Sequence, residues 1–105
     1  MKKIKIAVVG FGNIGSFLFN ELKNKSQEIE TKTGKKITIV AVSAKNINKK
    51  RKYKINKKFF FKNPLDIFKK HKIDILFELI GFSDGISKKV VQVALNKKVH
   101  VITAN

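Results

Sequence analysis

Apolar residues along the chain form short runs whose period changes at regular intervals. Residues 3–9 are almost continuously aliphatic and stop at Gly10, which predicts a buried β-strand. From residue 13 to about residue 25 the apolar positions recur at helical spacing, which predicts an amphipathic helix. The face of this helix that we expect to be buried consists of Ile14, Phe17, Leu18 and Leu22.

The middle of the chain continues with less regular patterns. The polar residues 26–35 predict a turn region that ends in Thr33-Gly34-Lys35, and residues 37–42 predict a second strand, rich in β-branched side chains. Residues 45–58 follow neither period and carry many cations, so we expect a solvated loop there. Phe59-Phe60-Phe61 predicts a short strand.

Two further helices are indicated by their capping residues. Asn63 and Pro64 are typical of an N-cap and a first helical position, and this helix is expected to end near His71. Either Ser83 or Asp84 is expected to cap the last helix, which runs to about residue 96. The predicted inner face of the last helix consists of Ile86, Val90, Val93 and Ala94.

Strands and helices therefore alternate along the whole chain. Residues 73–80 predict a third long strand, followed by Gly81, and residues 99–102 predict a final strand. Such aliphatic strands, separated by helices, favour a parallel sheet covered on both faces. We expect an α/β fold of the Rossmann type, a doubly wound three-layer domain over residues 1–105 with strand order 3-2-1-4-5. The sheet is expected to be incomplete at its C-terminal edge, because the sequence stops directly after the last apolar run.

A glycine motif links the first predicted strand to the first predicted helix. Gly10-Phe11-Gly12-Asn13-Ile14-Gly15 has the spacing G-x-G-x-x-G in the context that dinucleotide sites require. Gly10 permits a tight turn, Gly12 leaves room for a diphosphate and Gly15 lets the helix approach the sheet. Backbone N–H groups from Gly12 to Ile14 would face the phosphates at the positive end of the helix. We interpret the motif as a dinucleotide site, and the alternative is a glycine turn that holds no ligand.

The end of the second predicted strand bears on the choice of dinucleotide. A cofactor without a 2′-phosphate is usually held there by Asp or Glu, whereas this chain has Ser43-Ala44-Lys45 and no acid. Lys45, helped by Lys49, Lys50 or Arg51, could pair with a 2′-phosphate, although a solvated surface would account for the same cations. We predict NADP as the preferred cofactor, with NAD as the alternative.

Fewer candidate residues accompany the later strands. Gly81 would let the backbone approach the cofactor, and Ser83 would either hydrogen-bond the cofactor or cap the next helix. Glu78, inside an apolar strand, is either a carboxyl group at the edge of the core or a ligand-binding group. His71 and His100 have no carboxylate partner and are predicted to be neither catalytic nor metal-binding. The sequence therefore predicts a cofactor site without a complete catalytic apparatus and without a metal.

Composition excludes several other classes of protein. The 105 residues contain no cysteine and 43% apolar residues, which argues against a disulfide-rich secreted domain and against a disordered tail. The sequence has neither a signal-peptide pattern nor a membrane-spanning run, so we expect a cytoplasmic protein. The formal charge of +17 would attract polyanions. A nucleic-acid interface at residues 45–62, with Tyr53 and Phe59–Phe61 stacking on bases, is a less favoured alternative because Arg51 is the single arginine.

Four groups of residues together resemble the amino-terminal part of homoserine dehydrogenase. They are Val9–Gly15, Val40–Val42 with Asn46–Arg51, Ile73–Ile75 with Glu78–Gly81, and His100–Asn105. They follow one another in order over essentially the whole chain. The glycine motif is shared by many dehydrogenases, whereas Glu-Leu-Ile-Gly and the terminal Thr-Ala-Asn are more specific to this family.

The resemblance implies an oxidoreductase that reduces aspartate 4-semialdehyde to homoserine with NAD(P)H, in the pathway to threonine, methionine and isoleucine. It implies that the pyrophosphate is contacted by Phe11, Gly12, Asn13 and Ile14 and the adenosine ribose phosphate by Lys45. It also implies that the nicotinamide ribose lies near Ile80, Gly81 and Ser83, and the nicotinamide beside Thr103, Ala104 and Asn105.

Two departures from the family pattern limit what the resemblance implies. Phe82 stands where the family usually has a second glycine and would hinder close approach of the cofactor there. The family also continues Thr-Ala-Asn with a lysine that is a proposed proton donor or relay, and this sequence stops at Asn105. We therefore expect the substrate-binding domain, which also forms the homodimer in this family, to be absent and the chain alone to be inactive. The alternative function is a stand-alone nucleotide-binding or redox-sensing module.

Overall fold

The computed structural model describes residues 2–10, 12–44, 56–80 and 85–103. Its elements in chain order are β1 (Lys2–Val9), α1 (Asn13–Thr33), β2 (Lys35–Ser43), β3 (Phe60–Phe61), α2 (Ile67–Lys70), β4 (Ile75–Glu78), α3 (Gly85–Asn96) and β5 (His100–Thr103). Two short 3-10 helices, Lys57–Phe59 and Pro64–Asp66, precede β3 and α2. Most of the predicted cationic loop lies outside the described residues. No helix within the described ranges is long and apolar enough to cross a membrane.

All five strands are parallel and form one sheet with the order β3-β2-β1-β4-β5, which confirms the predicted order. The register places Val9 at the end of β1 opposite both Ser43 of β2 and Glu78 of β4. Glu78 in turn lies opposite Thr103 of β5. The carboxyl ends of these four strands are therefore level, and they form the edge at which doubly wound sheets bind ligands.

Helices cover both faces of the sheet, as the predicted three-layer fold requires. On one face, α2 and α3 pack on the strands and enclose a core whose buried residues are Ala7, Val9, Ala41, Ile67, Ile73, Leu76, Val90, Ala94 and Val99. On the other face, α1 packs through Phe19 on Ile6, Val8 and Val42. Burial of these apolar side chains on both faces of the strands stabilises the fold.

Strand β2 contains a bulge in its middle. Ile39 lies opposite Ile6 and Ala41 lies opposite Ala7, so Val40 is an extra residue in the pairing with β1. As a result, Val40 and Ala41 both pack on the side of α2 and α3, whereas Ile39 packs on the side of α1. The alternation of side chains along β2 is thus reversed before the strand reaches the ligand-binding edge.

Helix α1 is longer than the sequence pattern predicts. The predicted end near Lys25 is wrong, because the helix continues through the polar residues to Thr33. Its solvated half carries two ion pairs, Glu21–Lys25 at 3.4 Å and Glu28–Lys32 at 3.1 Å. Each pair joins residues that are one helical turn apart. The helix ends at Gly34, whose φ of 73° is left-handed and whose N–H donates to the carbonyl oxygen of Glu30 at 2.8 Å.

The buried face of α1 also differs from the prediction. Leu18 and Leu22 pack against the core as expected, but Ile14 and Phe17 are 67% and 58% exposed. Phe19, which was not placed on the inner face, is 9% exposed and belongs to the core. In the first turn of α1, the small residues Gly15 and Ser16 are buried instead of the larger Ile14 and Phe17.

The predicted start of the helix at Asn63 and most of the predicted inner face of α3 are confirmed. The side chain of Asn63 accepts a hydrogen bond from the N–H of Leu65 at 3.0 Å, and Pro64 occupies the first position of the 3-10 turn that leads into α2. In α3 the predicted face is buried at Val90 and Ala94, and Ile86 packs at the edge of the core. The predicted caps of α3, Ser83 and Asp84, lie outside the described residues.

The last two long strands have different ends from those predicted. β4 covers 75–78 and not 73–80, because Asp74 is held just outside it, donating its N–H to the carbonyl oxygen of Lys5 and accepting the Lys5 N–H on its carboxylate. β5 starts and ends one residue later than predicted. The short strand β3 is confirmed at Phe60 and Phe61.

Candidate functional site

The turn after β1 is anchored to both neighbouring strands at the carboxyl edge of the sheet. The N–H of Gly10 donates to the carbonyl oxygen of Ser43 at 2.9 Å, which ties the turn to β2. The N–H of Leu79 donates to the carbonyl oxygen of Val9 at 2.7 Å, which ties the segment after β4 to the same place. The crevice predicted from the strand order is therefore built from three segments that are hydrogen-bonded to one another.

Gly10 is required by the fold itself. Its φ of 93° lies in the region that side chains other than glycine rarely adopt. A Cβ atom at this position would lie 2.6 Å from the nitrogen of Ile80 and 2.8 Å from the carbonyl carbon of Leu79. The predicted tight turn is confirmed, and its close packing against the segment after β4 is a contact that the sequence did not indicate.

Gly12, by contrast, faces open space. It is the N-cap of α1 with a negative φ, and a Cβ atom built on it would meet nothing within 4 Å. No side chain caps this end of the helix, and no acidic residue stands in its first turn. The described part of the fold therefore does not explain a glycine at this position, whereas an anion approaching the helix N-terminus would.

The rest of the glycine motif follows the predicted roles only in part. Gly15 is buried where α1 meets the sheet, as expected for the glycine that brings the helix close. Ile14 points outwards and is exposed beside the open space at Gly12. Asn13 starts the helix, and Phe11 lies outside the described residues.

At the end of β2, Ser43 and Ala44 are buried beside the glycine turn. Neither is acidic, so the described end of this strand offers no carboxylate to a ribose hydroxyl. Lys45, the residue proposed for the 2′-phosphate, lies outside the described part of the chain. Within the described residues, the predicted preference for NADP over NAD therefore rests on Ser43 and Ala44, neither of which is acidic.

Beyond β4 the structure places Ile80 against Gly10 and buries the side chain of Glu78. Glu78 is 1% exposed, and its Oε2 accepts a hydrogen bond from the N–H of Ile80 at 2.8 Å. Thr103 is level with Glu78 on β5 and is exposed. The remaining predicted site residues, Gly81, Ser83, Ala104 and Asn105, lie outside the described residues.

Other candidate groups lie away from this edge. His71 follows α2 and packs edge-on against Phe61 with 5.9 Å between ring centroids, and burial, followed by the charges of Lys70 and Lys5, lowers its pKa. His100 begins β5 at the opposite, amino edge of the sheet. Within the described ranges no group of three or more His, Cys, Asp or Glu residues could hold a metal ion.

The two remaining surface features also differ from a cofactor site. A cavity of about 390 Å³ lies between α2 and the start of β5, and its lining includes Lys70, Lys72 and Lys97 rather than the glycine turn. The phenylalanines considered as base-stacking groups, Phe59–Phe61, instead pack against the two cores of the domain. These half-buried rings contribute to the two cores, and Tyr53, the other residue of the nucleic-acid alternative, lies outside the described residues.

Comparison with known proteins agrees with this geometry. Residues 10–105 match the family described as "Homoserine dehydrogenase, NAD binding domain". The chain is 29% identical over 105 residues to homoserine dehydrogenase of Bacillus subtilis and 30% identical to that of Neisseria gonorrhoeae. Each alignment covers 100% of this chain and 24% of the relative, so the chain spans about a quarter of the length of these proteins.

Solved structures show the same similarity in three dimensions. The chain superposes on Staphylococcus aureus homoserine dehydrogenase with a TM-score of 0.89 and 30% identity, covering 100% of this chain and 27% of that one. It superposes on homoserine dehydrogenase from Thiobacillus denitrificans with a TM-score of 0.82 and 28% identity, covering 100% of this chain and 24% of that one. The α/β fold and the arrangement of its strands are therefore those of these dehydrogenases.

Proposed function

The chain belongs to the NAD-binding domain family of homoserine dehydrogenase, and from this membership we propose that it binds a nicotinamide dinucleotide at the carboxyl ends of β1, β2 and β4. The diphosphate would lie over Gly12 and the first turn of α1, with the adenosine half towards Ser43 and the nicotinamide half towards Ile80 and Thr103. This order follows from the position of the glycine turn between β2 and β4 in the sheet.

The observation that carries this proposal is the difference between the two glycines of the turn. A Cβ atom on Gly10 would lie 2.6 Å from a backbone nitrogen, whereas a Cβ atom on Gly12 would meet none of the described residues within 4 Å. An unobstructed backbone at a helix N-terminus allows a diphosphate to reach the N–H groups of the first turn. The packing of the residues that the structure describes gives no other reason for a missing side chain at Gly12.

We further propose that the preferred cofactor is NADP. The support is the buried end of β2, where Ser43 and Ala44 provide no carboxylate for a ribose 2′-hydroxyl. Lys45 follows directly in the sequence and supplies a positive charge for a 2′-phosphate. NAD would lack this charge pairing and would bind more weakly.

For the longer enzyme, we propose the activity named for its relatives, the interconversion of aspartate 4-semialdehyde and homoserine in amino-acid biosynthesis in the cytoplasm. The bound nicotinamide would supply the hydride chemistry. This domain's residues would bind and orient the cofactor, while a substrate domain, also forming the homodimer, would bind the aldehyde. Because no acid–base group beside the described site is exposed to a substrate, we propose that the 105-residue chain alone does not turn over.

The test is a titration of the chain with NADPH and NADH in buffer at physiological ionic strength, followed by nicotinamide fluorescence. Gly12→Val is expected to weaken NADPH binding at least about tenfold, a loss of about 1.4 kcal/mol, because the valine fills the space of the diphosphate. Asn24→Val, which adds the same side chain at an exposed position of α1, is the matched control and is expected to leave the dissociation constant unchanged.

Each part of the proposal would be refuted by a different result of these measurements. Equal NADPH binding by the wild type and Gly12→Val would refute the site. Equal or tighter binding of NADH than of NADPH would refute the NADP preference while leaving the site intact. Formation of NADPH from NADP and homoserine by the purified chain would refute its proposed inactivity.

A further inference from the structure

We propose that Glu78 is a positioning residue of the cofactor site, which fixes the segment after β4 against the glycine turn and thereby sets the width of the crevice. This inference rests on the proposed cofactor function and adds a residue to it. Glu78 does not need to touch the cofactor for this role, because it acts through the backbone of Ile80.

The first observation is that a carboxyl group is buried at the ligand-binding edge and hydrogen-bonded to its own chain. Glu78 is the last residue of β4 and is 1% exposed. Its Oε2 accepts the N–H of Ile80 at 2.8 Å, two residues further on. This hydrogen bond gives the Ile80 N–H a side-chain partner where the chain turns out of the strand ladder.

The second observation is that the same backbone nitrogen is the heavy atom that a side chain at Gly10 would approach most closely. A Cβ atom on Gly10 would lie 2.6 Å from the nitrogen of Ile80 and 3.0 Å from its Cα. Leu79 is held from the other side by its N–H donated to Val9 at 2.7 Å. The hydrogen bond that the Ile80 N–H donates to Glu78 therefore orients a peptide unit that forms the contact between the two halves of the crevice.

Space filling alone does not account for a glutamate at this position. Burying a carboxyl group costs free energy unless hydrogen bonds compensate for the lost water, whereas a methionine of similar length would fill the space without that cost. The neighbours of Glu78 along β4 are apolar, and Leu76 on the same strand is completely buried. The acceptor oxygen is what distinguishes Glu78 from the apolar residues that fill the rest of the strand.

The proposed role predicts different NADPH affinities for two substitutions of nearly equal size. Glu78→Gln retains a carbonyl oxygen that accepts the Ile80 N–H, and Glu78→Met removes every acceptor. We expect Glu78→Gln to bind NADPH within about threefold of the wild type and Glu78→Met to bind at least about tenfold more weakly. In hydrogen exchange, the Ile80 amide is expected to stay protected in the wild type and Glu78→Gln and to exchange faster in Glu78→Met.

A stability-matched control distinguishes positioning from general destabilisation. Val99→Ala removes buried volume before β5, far from the glycine turn, and is expected to lower the free energy of unfolding without changing the dissociation constant for NADPH. The binding of all variants is measured at a temperature where each is more than about nine-tenths folded, as shown by circular dichroism.

The outcomes separate failure of this inference from failure of the proposed function. Unchanged NADPH binding and an equally protected Ile80 amide in Glu78→Met would overturn the positioning role while leaving the cofactor site standing. A loss of NADPH affinity in Val99→Ala as large as that in Glu78→Met would also overturn it. Absence of NADPH binding by the wild type would refute the proposed function, and the positioning role with it.

Discussion

At the scale of single residues, two glycines only two positions apart have different physical requirements. Gly10 has a left-handed φ of 93° and no room for a side chain, because the backbone after β4 lies against it. Gly12 has a negative φ and open surroundings. The fold therefore requires the first glycine, whereas the second is the one that we propose to serve the ligand, although both belong to one sequence motif.

This difference predicts that alanine substitutions at the two glycines lower the free energy of unfolding by unequal amounts. Gly10→Ala is expected to lower the free energy of unfolding by about 2 kcal/mol or more, because the alanine is strained at this φ and collides with backbone atoms. Gly12→Ala is expected to lower it by about 1 kcal/mol or less, since the added methyl group meets no described residue and the cost is that of a poorer N-cap. Urea denaturation of both variants measures this, and similar losses in the two would contradict the assignment.

The glycine motif and the lack of an acid at Ser43 could be predicted from the sequence because spacing and residue type alone express them. The contact between Gly10 and Ile80 could not, since it joins segments far apart in the chain and depends on how β1 and β4 pair. The same holds for Glu78. A glutamate in an apolar strand is compatible with either a core role or a ligand-binding role. The burial of Glu78 and its hydrogen bond to Ile80 can be seen only in the fold.

At the scale of elements, strands were easier to predict than the end of the first helix. Aliphatic runs such as 37–42 identify buried parallel strands directly, and the observed order of strands follows from their alternation with helices. The second half of α1 is polar because it is solvated, so its composition is the same as that of a loop. Its helical state is supported by ion pairs one turn apart and by Gly34, and these signals are local and weak.

The C-terminal end of α1 can be tested at Gly34. Gly34→Ala is expected to destabilise the chain by about 1 kcal/mol, because alanine is strained at the left-handed φ of 73° that the helix end requires. Gly34→Asn is expected to cost less, since asparagine tolerates this conformation better than alanine does. Thermal melts followed by circular dichroism compare the two, and equal melting temperatures for wild type and Gly34→Ala would show that the helix does not end there.

At the scale of the whole molecule, the dominant property is a formal charge of +17 on 105 residues. Part of this charge is arranged unfavourably, because the register of β1 and β2 places Lys2 opposite Lys35 and Lys3 opposite Lys36. The ion pairs found in the described ranges join residues three or four positions apart on α1 and at the start of α2, and none of them includes these four lysines. Repulsion between them opposes folding most strongly at low ionic strength.

Replacing one lysine of such a pair with an acid should therefore stabilise the chain. Lys36→Glu is expected to raise the free energy of unfolding by about 0.5 kcal/mol in dilute buffer, and most of this gain is expected to disappear in 1 M KCl. Lys23→Glu changes the net charge by the same amount. It is expected to stabilise the chain less than Lys36→Glu does, because Lys23 lies on α1 and has no lysine opposite it on a paired strand. Urea unfolding at both salt concentrations provides the measurement, and equal gains from the two variants would assign the effect to total charge.

The extra residue in β2 has a consequence for how this domain tolerates changes in length. Val40 inverts the alternation of β2, so Ala41 packs towards α2 and α3 and Val42 towards α1. An in-frame deletion of one codon at Val40 would make the pairing with β1 regular from end to end. It would also leave every other residue of β2 on its present face, because Ile39, Ala41, Val42 and Ser43 would keep their partners on β1. Deletion of Thr38 instead would close the bulge by moving Ile39 and Val40 each to the opposite face, so the position of a deletion matters as much as its length.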